Sequence, residues 1–181
     1  MQNKMVSIKI RKGSIEDLEG IFECHKLCFE KGDYWYKTII QQNLKDSYVI
    51  EKIEATSEKN IVGVLLQGDI TPCDSSDIFE PLNDKGEEFK TYNIHTDSIY
   101  GMKMLCVDPK YRGKGLAKKL IDIHFKSNEH KNMLCLNTRK SNPAYNLYLS
   151  MGYEHIANIK DKYYFPNEDA CFMIKTLVPD E

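Results

Sequence analysis

The sequence of 181 residues has almost no excess of charge, because 25 basic residues stand against 27 acidic ones and the formal net charge is -2. Proteins that wrap nucleic acid or lie on an anionic membrane usually carry a strong positive charge that attracts the partner over a distance. We therefore expect no nucleic-acid partner. The partners of this chain should be recognised by local contacts.

Long hydrophobic runs are also missing. No apolar stretch reaches the roughly 18 residues that a membrane span needs, and no signal-peptide core follows Met1-Gln2-Asn3-Lys4. No internal repeat or low-complexity tract occurs, and the length suits one ordinary domain. We expect one cytoplasmic domain over residues 3–178, without a membrane span.

Cysteine is present but shows no pattern of disulfides or of a metal site. Six cysteines are scattered through apolar segments of a chain that is too large to need covalent cross-links. Cys24 and Cys28, with His25 between them, could share a helix face and hold a metal. However, no second Cys or His pair stands at ligand spacing, and structural zinc takes four ligands. We expect buried free thiols and no metal.

Hydrophobic periodicity and turn residues predict an alternation of strands and helices. The predicted strands cover residues 6–10, 48–53, 61–66, 98–107, 133–136, 153–159 and 170–177, and the predicted helices cover residues 15–29, 34–40, 116–125 and 142–151. The segment 69–97 has weak periodicity and many acids, and is predicted to be an insertion, either a flap over the site or a plain excursion, with some strand around 89–94.

A glycine-rich turn stands between the predicted strand 98–107 and the following helix. Its sequence is Arg112-Gly113-Lys114-Gly115-Leu116-Ala117. Small residues before a helix let backbone N–H groups and the helix dipole reach a phosphate, although glycines also occur in plain tight turns. A P-loop would need Ser or Thr after Lys114, and a dinucleotide motif would need Gly in place of Lys118. The turn therefore predicts a pyrophosphate site of another type.

The residues around this turn resemble the GCN5-related N-acetyltransferases (GNAT). Val107-Asp108-Pro109-Lys110-Tyr111-Arg112, continuing to Gly115 and Ala117, is similar to their pyrophosphate motif. The segment 137–144 with Tyr148 and Met151-Gly152-Tyr153 is similar to their second cofactor motif, shifted so that either Ser141 or Asn142 takes the cofactor-contacting place. The resemblance implies a single α/β (α+β) GNAT-like domain with a mixed central sheet of about seven strands flanked by about four helices.

The resemblance implies acetyl-CoA as co-substrate. Backbone N–H groups from 105 to 107 would hold the acetyl carbonyl, where negative charge develops during transfer. Tyr148 would protonate the leaving thiolate, unless it is simply a packed helix residue. The implied cofactor-binding residues are Leu105, Cys106, Val107, Arg112, Gly113, Lys114, Gly115, Leu116, Ala117, Asn142 and Tyr148.

The end of the chain is similar to that of ribosomal-protein and protein N-terminal acetyltransferases. The similarity lies in Tyr163-Tyr164 and in the segment 168–173, and the front loop with Phe29 and Trp35-Tyr36 resembles their peptide-holding loop. The implied acceptor is the N-terminus of a peptide or protein that begins with Met, and the implied enzyme is of the monomeric type. The implied substrate-binding residues are Phe29, Glu30, Tyr163 and Tyr164; the tyrosines could also be packed strand residues.

The general base is where the sequence departs from that resemblance. Such enzymes often pair a Tyr with a His, but Asn137 stands at the His position and cannot accept a proton, while the Tyr position falls at or beside Tyr100 and Gly101. The candidate catalytic residues are therefore Tyr148, Tyr100 and Asn137. Either Tyr100 acts through a water, or Glu30 or His155 supplies the base, or the chain is inactive.

Two rival functions remain open. The chain could acetylate lysine, a polyamine or an amino sugar, or it could be a catalytically silent acetyl-CoA-binding subunit. A basic group that includes Lys110, Arg112 and Lys114 could bind nucleic acid, but the acidic total charge argues against it.

Overall fold

A computed structural model describes residues 7–29, 35–53, 60–71, 78–89, 99–164 and 168–177, with the backbone alone for 161–164. The chain divides into two compact units. The first contains Met1–Gln67 and Met104–Leu120, and the second contains Gly68–Lys103 and Ile121–Glu181. The expectation of one domain over 3–178 stays a prediction.

The first unit is built on antiparallel strands and two helices. Strand β1 is Ser7–Lys12, helix α1 is Leu18–Cys28, α2 is Lys37–Gln42, β2 is Ser47–Ile53 and β3 is Asn60–Ile70, of which the part up to Gln67 belongs to this unit. β2 pairs with both β1 and β3, and a register shift between Ile50 and Glu51 marks a bulge. Its core joins Ile21 and Cys24 of α1 to Ile40 of α2 and to Val64 of β3.

The second unit is mixed. It contains strand β4 (Ile78–Pro81), helix α3 (Asp84–Phe89), most of β5 (Ile99–Val107), and the end of α4 (Leu116–Ser127). It continues with β6 (Met133–Arg139), α5 (Ala144–Ser150), β7 (Glu154–Tyr164) and β8 (Glu168–Thr176). β5 and β6 are parallel, whereas β6, β8, β7 and β4 pair antiparallel in that order.

Three phenylalanines form the centre of the second unit's core. The ring of Phe172 on β8 lies 5.8 Å from Phe79 on β4 and 5.1 Å from Phe89 on α3, measured between centroids. All three side chains are nearly inaccessible to solvent. This burial explains why β4 and α3 form inside a segment whose local sequence pattern is weak.

Hydrogen bonding orders the strands as β1-β2-β3 in the first unit and as β5-β6-β8-β7-β4 in the second. The α/β class is confirmed, but the described residues hold eight strands and five α-helices, where about seven and four were predicted. The difference arises mainly from β4 and α3 inside the predicted insertion. Phe89 ends a helix and does not begin a strand; residues 90–94 lie outside the described part. Among the described helices, none has both the length and the apolar character needed to cross a bilayer.

Candidate functional site

The end of β5 leads into a tightly fixed turn. The Asp108 N–H donates to the Val62 carbonyl at 2.9 Å, and the Asp108 carboxylate accepts from the Lys110 N–H at 2.9 Å. Pro109–Tyr111 forms one turn of 3-10 helix, which the Tyr111 N–H closes on the Asp108 carbonyl. Asp108 and Pro109 therefore stop the strand and set the direction of the glycine-rich segment that follows.

Both glycines of the turn adopt a left-handed backbone conformation. Gly113 has φ of 72° and Gly115 has φ of 73°, a region that side chains with a Cβ disfavour. A Cβ added at either residue would meet no atom within 4 Å. The turn therefore presents its backbone to open space, immediately before α4 begins at Leu116. The first N–H groups of a helix have no partner within the helix, which suits this end of α4 to an anion.

Two basic residues border the turn. The Arg112 Nε donates to the Val107 carbonyl at 3.0 Å, and the Lys114 ammonium lies 5.1 Å from the centre of the Tyr111 ring. Both side chains belong to exposed residues, so they can rearrange towards a ligand. Leu116 is buried and anchors the helix start, whereas Ala117 is half-buried. The predicted cofactor residues from 112 to 117 thus form one open, positively charged loop.

A cluster of thiols lies behind this loop in the same unit, and sequence reasoning had missed it. Cys24 and Cys28 of α1 and Cys106 of β5 have their sulfurs all within 4.8 Å of one another. The Cys28 thiol also reaches the Val107 carbonyl at 3.3 Å, the same oxygen that Arg112 contacts. The Cys24–Cys28 spacing was a visible signal, but the third member comes from a strand 82 positions away from Cys24.

The three thiols differ in acidity. Hydrogen bonds from Cys106 and Cys24, together with the nearby Arg112 guanidinium, lower the pKa of Cys28. Hydrogen bonding to Cys24 and Cys28 and complete burial raise the pKa of Cys106. Cys28 is therefore the first of the group to lose its proton, and its contact with the Val107 carbonyl belongs to the protonated form.

The second unit holds the predicted second cofactor motif at the start of α5. The Asn142 side-chain oxygen accepts from the Ala144 N–H at 2.9 Å, which supports the helix start. Ser141 donates its N–H and its hydroxyl to the two oxygens of Glu168 at 3.0 and 2.7 Å. Ser141 and Asn142, the two candidates for the shifted motif position, therefore both make hydrogen bonds within the second unit.

Tyr148 and Tyr153 share the apolar side of this segment. Tyr148 is 6 % exposed, and its ring meets that of Tyr153 edge to face with 6.1 Å between centroids. Tyr148 is thus a packed helix residue. Its phenol also stands at the position that the resemblance assigns to the general acid.

The candidate base residues lie on β5 and β6. A Cβ at Gly101 would come within 2.1 Å of the Cys135 carbonyl, so close packing of parallel strands requires glycine there. The phenol at this place belongs to Tyr100, which is half-buried and has the Lys131 ammonium 4.6 Å from its ring centre. Asn137 is half-buried on β6 opposite Phe172.

His155 is engaged through both ring nitrogens. Its Nε2 lies 3.0 Å from the Ala157 carbonyl and 3.0 Å from the Asn158 side-chain oxygen, and its Nδ1 lies 3.0 Å from the Tyr145 hydroxyl. Two oxygen acceptors at Nε2 place the proton there, so Nδ1 accepts from Tyr145. Burial also lowers the pKa of His155. This arrangement disfavours His155 as the base.

The predicted acceptor residues are described only in part. The Phe29 ring packs 4.6 Å from that of His25, at the end of α1. Tyr163 and Tyr164 lie in the last part of β7, with Tyr164 paired to Glu168 of β8. Their side chains, and the whole of Glu30, lie outside the described residues.

One family model matches part of the chain. Residues 82–155 match the family model of the acetyltransferase (GNAT) domain. No curated protein matches the chain in sequence.

Solved structures resemble the chain over nearly its whole length. Arabidopsis thaliana NAA60 in complex with a bisubstrate analogue has a TM-score of 0.71 at 17% identity, covering 95% of this chain and 100% of that one. The ribosomal-protein-S18-alanine N-acetyltransferase from Escherichia coli has a TM-score of 0.68 at 16% identity, covering 97% of each chain. Arabidopsis thaliana Naa50 in complex with the bisubstrate analogue CoA-Ac-MVNAL has a TM-score of 0.67 at 14% identity, covering 94% and 99%.

At such low identity the structural likeness establishes the fold, and the family match adds a likeness in sequence over residues 82–155. The chain has the fold of the GNAT acetyltransferases, and its residues 82–155 match the family model of that domain.

Proposed function

We propose that this protein transfers the acetyl group of acetyl-CoA to the α-amino group of a peptide or protein N-terminus. The proposal that acetyl-CoA is the donor rests on the open glycine turn at the start of α4, with Arg112 and Lys114 beside it. The acceptor half is supported by the fold neighbours, one named a ribosomal-protein-S18-alanine N-acetyltransferase and one bound to the bisubstrate analogue CoA-Ac-MVNAL. The Met-initiated sequence of the Naa50 analogue favours an acceptor that begins with Met.

Backbone groups would hold the donor. The pyrophosphate of acetyl-CoA would take the N–H groups of Gly113, Gly115 and the first turn of α4, because the space beside both glycines is open and the first N–H groups of a helix lack partners within it. The N–H groups of Leu105, Cys106 and Val107 would hold the acetyl carbonyl and stabilise the oxyanion that forms on it. Asn142 would contribute from the start of α5.

Direct attack by the neutral amine then follows, without a covalent enzyme intermediate and without a metal in the reaction. An α-amine with a pKa of about 8 is roughly a tenth neutral at pH 7, whereas a lysine with a pKa of about 10.4 is neutral well below one part in about a thousand. A weak base therefore suffices for the α-amine. Tyr100, acting through a water, is the base that we propose, while Asn137 would orient the amine or that water.

The leaving thiolate takes its proton from Tyr148, and Phe29, Glu30, Tyr163 and Tyr164 would contact the first residues of the acceptor. Tyrosine rings bind peptide backbone through their hydroxyls and shape a slot through their faces. We further propose that the enzyme acts as a monomer in the cytoplasm, where acceptor chains and acetyl-CoA are both present.

The test is thiol release from acetyl-CoA with three acceptors: a Met-initiated peptide, its N-blocked form, and an N-blocked peptide containing lysine. Release with the first alone is the expected result. Release that does not depend on N-terminal blocking would favour a lysine or small-amine acetyltransferase. Calorimetric binding of CoA without release from any acceptor would favour the silent subunit.

The role of Tyr148 has a matched control on the same helix. Tyr148→Phe should lower kcat at least about 100-fold, since general acid catalysis contributes about 100-fold to 10,000-fold. Tyr145→Phe, which removes a phenol that contacts His155, should leave kcat within about threefold because no proton transfer is assigned to it. Equal losses in both variants would contradict the assignment.

A further inference from the structure

The three thiols Cys24, Cys28 and Cys106 stand apart from the other described cysteines because they converge. Cys24 and Cys28 are one helical turn apart on α1, and Cys106 approaches from β5. Cys135 and Cys171 are also buried free thiols. Among the described residues, however, Cys24, Cys28 and Cys106 are the one group of three or more His, Cys, Asp or Glu side chains whose ligand atoms lie close enough to bind a single ion.

The spacing of the sulfurs fits ligation of one ion. Zinc–sulfur bonds of about 2.3 Å put two thiolates about 3.8 Å apart in tetrahedral geometry and about 4.0 Å apart in trigonal geometry. The Cys24 and Cys106 sulfurs are 3.9 Å apart, and all three sulfurs lie within 4.8 Å. A disulfide would need a separation of about 2.05 Å, so either thiol would have to move much further.

We propose that Cys24, Cys28 and Cys106 bind one thiophilic metal ion through their three sulfurs. The ligand set is soft and contains no oxygen, which selects ions such as Cu(I) and Zn(II) and disfavours Mg(II) and Ca(II). Binding releases the thiol protons and oxidises nothing. A three-coordinate ion satisfies the site as it stands, and a water can complete a fourth position.

The surroundings supply both an entrance and a counter-charge. Cys24 is 1 % exposed and Cys106 is 4 % exposed, whereas Cys28 is only half-buried at the end of α1. An ion can therefore reach the site past Cys28. The Arg112 guanidinium, which holds the Val107 carbonyl next to Cys106, offsets part of the negative charge of three thiolates.

Simple core packing is the alternative, because free cysteine often acts as a small apolar residue. Packing explains why Cys24 and Cys106 lie in the core with Ile21 and Ile40. Packing gives no reason for the Cys28 sulfur to lie within 4.8 Å of the other two, because any apolar side chain would fill that position at the edge of the core. Metal binding separates the two explanations, because packed thiols without a site hold no ion tightly.

The test uses the full chain, reduced and stripped of metal, with Cd(II) as the probe. We expect sulfur-to-metal charge-transfer absorption that saturates at one ion per chain, and an X-ray absorption spectrum with three sulfurs around the ion. Cys28→Ser should weaken Cd(II) binding more than about 100-fold, since even residues outside the ligand shell cost about 10-fold to 100-fold. Cys28 is the safest of the three to change because it is half-buried.

Cys171→Ser is the matched control, since it removes a buried thiol from the other unit. It should leave Cd(II) affinity and the spectrum unchanged. The proposal is overturned if Cys28→Ser and Cys171→Ser bind Cd(II) alike, if no charge-transfer band appears, or if fewer than three sulfurs surround the ion. The readout needs neither acetyl-CoA nor an acceptor, so its result is independent of the proposed acetyl transfer.

Discussion

At the scale of single residues, the Asp17 carboxylate is a buried charge that is held by hydrogen bonds. It is 1 % exposed and accepts two hydrogen bonds of 2.7 Å from Arg11 and two more from the N–H and hydroxyl of Ser14. The hydrogen bonds from Arg11 hold the pKa of Asp17 well below its usual value. These contacts tie β1 to the start of α1, so Asp17 contributes to stability as a charged group.

We expect Asp17→Asn to destabilise the protein by about 2 kcal/mol at pH 7, because Arg11 loses one of its two carboxylate partners and keeps Glu51. A carboxyl with a lowered native pKa stabilises the fold above its unfolded pKa of about 3.9, and that contribution is lost as pH falls below this value. The gap between wild type and variant should therefore shrink below about pH 4. Urea unfolding between pH 7 and pH 3 measures it. Asp122→Asn, at an exposed position on α4, is the control, and a gap that stays constant with pH would refute the linkage.

Tyr153 allows a second prediction at this scale. Its ring is buried against Phe125 and Tyr148, and its hydroxyl contacts no hydrogen-bonding partner among the described residues. A buried hydroxyl without a partner costs about 1 to 3 kcal/mol, so Tyr153→Phe should leave the free energy of unfolding unchanged or raise it by about 1 kcal/mol. Tyr145→Phe removes a hydrogen bond to His155 and should lower that free energy by about 1 kcal/mol. Thermal unfolding compares them, and a clear loss in Tyr153→Phe would contradict this reasoning.

At the scale of elements, the glycine turn separates the effects of backbone strain from the effects of ligand contact. Gly115 and Gly152 have φ of 73° and 84°, but Gly152 ends α5. Alanine at either position costs roughly 1 to 2 kcal/mol of backbone strain. A methyl at Gly115 would enter the open space beside the turn, whereas at Gly152 it would meet the movable end of Lys175.

We expect Gly115→Ala and Gly152→Ala to lose similar amounts of thermal stability, with CoA affinity reduced at least about tenfold in Gly115→Ala alone. Calorimetric CoA titration of both variants measures this, and equal CoA affinities would remove the turn from the site.

The elements also show what the sequence could predict. The hairpin of β2 and β3 and the turn before α4 follow from local patterns, namely β-branched runs and glycines, and the structure confirms their positions. β4 and α3 escaped prediction because they form around Phe79 and Phe89, whose partner Phe172 comes from the last strand. The thiol cluster escaped for the same reason, since Cys24 and Cys106 are 82 positions apart. Contacts distant in sequence leave no local periodicity to read.

At the scale of the whole molecule, the boundaries of the two units fall inside regular elements. β3, β5 and α4 each have residues in both units. A helix forms cooperatively, and a strand or helix that breaks at its middle loses hydrogen bonds. We therefore expect one cooperative transition for the whole chain, as the single domain predicted over residues 3–178 requires.

Scanning calorimetry tests this expectation. At about 0.7 kcal/mol per residue, 181 residues give a total unfolding enthalpy of about 130 kcal/mol near 60 °C, and the van't Hoff enthalpy should equal it. Two independent units would give van't Hoff values near half of that total. Asp17→Asn in one unit and Phe172→Leu in the other should each lower the midpoint of the same single peak. If each variant shifted only one of two resolved peaks, the two units would unfold independently of each other.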